Sequence, residues 1–133
     1  TLQDNPALGK ALTGAWYEIM ATMSATTPAG IAAREHMAKA SGTDLAGYES
    51  QLAVTKMFYS AKDAVAFANS PKLPATMSKV AEFSFSHGLL GEGAKSSDAI
   101  GMSFAKGITT GDKANLKLRF DPSYMQMAAD GAL

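Results

Sequence analysis

Trp16, Tyr17 and Glu18 stand in a row and combine the two groups that attract a cation, an aromatic ring face and a carboxylate. They are the candidate ligand-binding residues of the chain, suited to a small solute. Other chemistry is sparse. His36 and His87 are the only histidines, neither has a second ligand at helical spacing, and there is no cysteine, so no metal site is expected. The run Gly88-Leu89-Leu90-Gly91-Glu92-Gly93-Ala94-Lys95-Ser96 has the glycines of a phosphate-binding loop. Ala94 separates the last glycine from Lys95-Ser96 and no apolar strand precedes Gly88, so it reads as a plain helix-to-strand loop. No serine sits in a G-x-S-x-G elbow. A non-enzymatic protein without a cofactor is expected.

The three candidates ride on the most clearly patterned stretch of the chain, Asn5 to Ser24. Leu8, Leu12, Trp16, Ile19, Met20 and Met23 follow one 3.6-residue stripe, and Asn5-Pro6 is a cap followed by a proline at the first helical position. The stripe turns Trp16 inward. Its removal from a core would cost about 3–5 kcal/mol. The eight methionines, at helical spacing beside alanine and leucine, likewise read as gap-filling core.

The rest must supply the partner surface. Thr27-Pro28 starts a second helix running to about Ser41, stopped by Gly42, and Thr43 caps a short third one carrying Leu45, Tyr48 and Leu52. Val54 to Tyr59 fits a short extended segment as well as a loop. Ser60 with Asp63 makes a capping box for a fourth helix, and Asn69-Ser70-Pro71 ends it and opens a fifth with inner residues Leu73, Met77, Val80, Ala81 and Ser84. From Ile100 the period falls to two, with Met102 and Phe104 alternating on one segment and Leu116, Leu118 and Phe120 on another. The spacing predicts an antiparallel hairpin, closed by a loop over Lys106 to Ala114 that is too long for a two-residue turn. Asp121-Pro122 caps a last helix, stopped by Gly131.

The expectation is one mainly α domain of class α+β, with five to six helices and one C-terminal hairpin. Residues 1–88 are helical, 89–98 a loop, 99–120 the hairpin and 121–131 the terminal helix. Twelve basic and twelve acidic residues without a run of either sign argue against nucleic acid or an anionic membrane surface as partner. No apolar stretch approaches the roughly 20 residues of a membrane span, and no export signal is expected in the chain as given.

The order of segments resembles the C-terminal part of the periplasmic substrate-binding proteins of ABC importers, a type II periplasmic-binding-protein fold, in the nitrate, sulfonate and taurine group. Asn5-Pro6-Ala7-Leu8, Ala15-Trp16-Tyr17-Glu18, Met57-Phe58-Tyr59, Ser60 to Asn69 and Phe120-Asp121-Pro122-Ser123-Tyr124-Met125 carry that resemblance. His87-Gly88-Leu89-Leu90-Gly91 and the hairpin after it are similar to a branch linked to urea carboxylase gene regions. The resemblance implies a periplasmic, non-catalytic solute-binding component, taking a urea-, guanidine-, taurine- or nitrate-like solute and handing it to an ABC permease. It also implies two lobes around a cleft. The parallel strands of the first lobe and the whole second lobe have no counterpart here, so a fragment or a domain descended from one is expected. The alternative is a free-standing helical protein-interaction module. Either way the apolar faces need cover, and a symmetric homodimer is expected.

Overall fold

The computed structural model describes Leu2 and residues 4–133. The described residues are mainly helical, with six α-helices and a small three-stranded sheet. The chain divides into two compact units, Thr1–Asp63 with Tyr124–Leu133, and Ala64–Ser123. Among the described residues no helix is long and apolar enough to cross a membrane.

The first unit is built on α1 (Pro6–Ser24), α2 (Pro28–Ala40) and α3 (Leu45–Val54). Their starts follow from side-chain oxygens placed where the first-turn amides lack partners. Asn5 Oδ1 accepts from the Leu8 N–H at 3.3 Å and Thr27 Oγ1 from Gly30 at 3.3 Å. For α3 the capping residue is Asp44 and not Thr43, because Asp44 Oδ1 reaches the Gly47 N–H at 2.8 Å. Residues after Val54 form neither helix nor strand until Ser60, whose hydroxyl accepts from Asp63 N at 3.1 Å and donates to Asp63 Oδ2 at 2.8 Å. That box opens α4 (Ala61–Ala68).

The stripe of α1 is the main correction to the sequence reading. Met20 and Met23 are buried, but Leu8, Leu12, Trp16 and Ile19 are 46%, 59%, 53% and 51% exposed. Trp16 does not point into a core. The side of α1 that packs is the one bearing Gly9, Met20 and Met23, where a missing side chain lets the Tyr124 ring lie against the backbone. A Cβ at Gly9 would fall 2.4 Å from Tyr124 Cζ. The glycine reads in sequence as a weak point of a helix. In the structure it selects the inner face and turns the larger apolar ridge away.

In the second unit, α5 (Leu73–Ser86) carries Pro74 in its first turn, where a missing amide costs nothing. Leu73 packs with Met102 and Phe104, and Met77, Ala81 and Phe120 complete this cluster, with the rings of Phe104 and Phe120 stacked 4.9 Å apart. The strands are β1 (Gly101–Ser103), β2 (Thr109–Thr110) and β3 (Leu116–Arg119), in the order β2-β1-β3.

The expected antiparallel pairing of the 100–104 and 116–120 segments is also corrected. β1 pairs antiparallel with β2, through Met102 opposite Thr110, and parallel with β3, through Met102 opposite Leu118. The chain turns back early, at Lys106 and Gly107, both at positive φ (60° and 73°), with Ile108 N returning to Ala105 O. Positive φ at both central residues is the backbone of a tight two-residue hairpin turn. Lysine is a poor advertisement for it, so the short strand after it escaped the period-two reading. The chain then crosses the end of β1, held by Asp112 N to Asp98 O at 2.8 Å and Asn115 Nδ2 to Ala99 O at 2.7 Å. It re-enters on the other edge of β1, in the same direction. α6 (Ser123–Ala129) closes the chain behind its Asp121 cap, which accepts from Ser123 N at 2.9 Å.

Candidate functional site

Consecutive helical residues lie about 100° apart and do not face one another. Trp16, Tyr17 and Glu18 accordingly share no face of α1. Trp16 stands on the outward ridge, Tyr17 is half-buried, and Glu18 is exposed. Burial raises the Tyr17 phenol above its ordinary pKa of 10.0, which keeps it neutral and fits a packing role. The aromatic-plus-carboxylate platform does not assemble.

Glu18 alone enters concave surface. Toward α2 it shares a groove of about 480 Å³ with Ile19, Thr22, Met23, Ala33, His36 and Met37. Toward the C-terminal residues it edges a second groove of about 400 Å³ with Lys10, Ala11, Gly14, Ala15, Ala132 and Leu133. Trp16 and Tyr17 line neither. The first groove has the size of a small-molecule site, an apolar floor of Ile19, Met23, Ala33 and Met37, and three polar groups at its edge. The Thr22 hydroxyl already donates to the Glu18 carbonyl at 3.0 Å, so its lone pairs are what it offers a ligand. A carboxylate and a hydroxyl oxygen together suit a solute rich in N–H groups.

Sequence reasoning passed over Arg34. Its Nη1 donates to the carbonyls of Met23 at 2.7 Å and Ala25 at 2.9 Å, and its Nε to Glu49 Oε1 at 3.0 Å. One guanidinium thus holds the C-terminal end of α1, where carbonyls lack helical partners, and ties α2 to α3. Nothing in local spacing betrays this, since Glu49 lies fifteen residues away. Arg34 and Glu49 also line a third groove with Met23, Ser24, Leu52, Ala53 and Tyr59. The arginine is committed to backbone there, so the groove reads as structural.

His87 stacks on Phe83 with ring centroids 4.0 Å apart and lies in the other unit from His36. Among the described residues no three histidine or acidic side chains converge as metal ligands. The 88–96 loop follows α5, not a strand. No family model, no curated protein and no solved structure matches this chain.

Proposed function

We propose that this chain is part of a non-catalytic solute-binding component of an ABC importer, working in the periplasm beside its permease. Its solute is small, polar and N–H-rich, of the urea or guanidine kind. The reading rests on one observation, the groove between α1 and α2 in which Glu18, Thr22 and His36 rim an apolar floor. Glu18 accepts N–H groups, Thr22 adds a second acceptor, and Met23 and Met37 contact the flat face of the solute. Nitrate and the sulfonate of taurine meet a carboxylate of their own sign there and are disfavoured.

Calorimetric titration with urea, guanidinium, taurine and nitrate tests this. Guanidinium and urea bind weakly, and Glu18→Gln abolishes the guanidinium signal while leaving the helix content unchanged. Preferential binding of nitrate or taurine, or guanidinium binding that survives Glu18→Gln, contradicts it. A second reading, a free-standing helical interaction module, is favoured by a different observation, the outward face of α1.

A further inference from the structure

We propose that a pocket in the second unit, between the α4–α5 connection and the β1–β2 turn, binds a small monocarboxylate with a compact apolar body, whose carboxylate is held by Lys106. The pocket measures about 190 Å³. A dry cavity of roughly 150 Å³ accommodates a benzene molecule, so the body has the size of one ring or of a branched chain of similar bulk.

Two tight turns make the walls. On one side Asn69-Ser70-Pro71 joins α4 to α5, with Ser70 N donating to Phe67 O at 3.0 Å and Leu73 N to Ser70 O at 3.1 Å. On the other, Phe104 N donates to Ile108 O at 2.9 Å, and the chain turns through Lys106 and Gly107 into β2. Leu73 and Phe104 pack together in the core, which fixes the two turns relative to each other. The site is therefore formed before any ligand arrives.

The lining divides by chemistry. Pro71, Pro74, Phe104 and Ile108 present apolar surface. Asn69, Ser70 and Lys106 are the polar members, and no acidic side chain joins them. Ser70 Oγ already accepts from the Lys72 N–H at 3.3 Å, so its proton is what it offers a ligand. Lysine has only donors to give, and among the described residues Lys106 has no hydrogen-bond or ion-pair partner. An apolar pocket edged by a cation without a counter-charge selects an anion with an apolar body, and a carboxylate accepts from both the ammonium and the hydroxyl.

The residue type at position 106 points the same way. Lys106 stands at φ 60°, where side chains other than asparagine and aspartate are uncommon. Turn formation alone would favour asparagine. The turn instead carries a residue it does not favour and sets an ammonium at the pocket. This inference does not depend on the solute groove of α1 and α2, whose lining lies wholly in the other unit.

Shift mapping on the labelled chain tests it, with benzoate as the probe and benzyl alcohol as a ligand of the same body without the charge. Benzoate gives saturable shifts at Ser70, Phe104 and Ile108, and benzyl alcohol binds about tenfold more weakly, the worth of one charge-assisted hydrogen bond. Lys106→Asn supplies the residue the turn prefers, so its melting temperature is unchanged or raised while the benzoate Kd rises about tenfold. Lys106→Met, of similar length and uncharged, shows the same loss of affinity whatever its effect on the turn. Absence of saturable benzoate shifts at these residues overturns the inference. So does benzyl alcohol binding as tightly as benzoate, or benzoate affinity that survives Lys106→Asn. A loss confined to Lys106→Asn, with Lys106→Met binding as before, marks the turn and not the charge, and overturns it too.

Discussion

Gly101 and Asp112 meet backbone to backbone: a Cβ on residue 101 would stand 2.0 Å from the Asp112 carbonyl oxygen. This contact lets the chain cross the end of β1 and bring β3 in parallel. Neither atom is on a flexible side chain, so the overlap cannot be relieved cheaply. Gly101→Ala is expected to cost about 3 kcal/mol, the upper range for overpacking. Chemical denaturation of the variant measures this, and a loss under about 1 kcal/mol would mean that the crossing is not as tight as described.

Arg34 and its ion-pair partner should separate sharply in their effects. Arg34→Ala removes the donors of two part-buried carbonyls, Met23 O and Ala25 O, and is expected to cost about 2–3 kcal/mol. Glu49 is 48% exposed, so Glu49→Ala costs under about 1 kcal/mol. Equal losses in thermal melts would show that the pair, and not the backbone clamp, carries the energy.

Thr110 Oγ1 is buried without a hydrogen-bond partner. Valine keeps the shape and removes the orphaned hydroxyl, so Thr110→Val is expected to stabilise the chain by about 1 kcal/mol. A lowered melting temperature would show that this oxygen has a partner in solution.

The Asp121 cap sets an acid limit on α6. The Ser123 hydroxyl, and after it the Ser123 backbone N–H, hold the Asp121 carboxyl below its ordinary 3.8, against a smaller opposing effect of burial. A carboxyl depressed on folding stabilises the fold above its unfolded pKa and loses that contribution as pH falls through the folded value. The cap therefore persists down to about pH 3.8 and weakens below it. Amide exchange at Ser123 followed on acidification should show this onset, and Asp121→Asn should remove it.

How much of this was legible in the sequence depends on whether the signal was local. Caps at Asn5, Thr27, Ser60 and Asp121 were readable, because a cap needs only a side chain and an amide two or three residues on. The facing of α1 was not, because the periodicity shows an apolar stripe but not whether this chain covers it. The parallel pairing was hidden by the Lys106–Gly107 turn and by a backbone crossing that leaves only glycines as a trace. Of the three candidate site residues, adjacency in sequence suggested a platform that helical geometry forbids, and only Glu18 reaches a groove.

Trp16 provides a check on that revised facing. Half-exposed, it should cost about 1–2 kcal/mol on replacement by alanine, well under the roughly 3–5 kcal/mol of a fully buried tryptophan. Its fluorescence emission should be that of a half-exposed indole, open to a water-borne quencher. An emission maximum already that of a buried indole would restore the inward placement.

A solute groove walled by α1 and α2 reveals itself in amide and methyl shifts as guanidinium is titrated into the labelled chain. Saturable shifts are expected at Glu18, Thr22, His36 and Met37, absent in Glu18→Gln and absent with nitrate. Shifts confined to other residues, or shifts at these residues produced by nitrate and not by guanidinium, would contradict it.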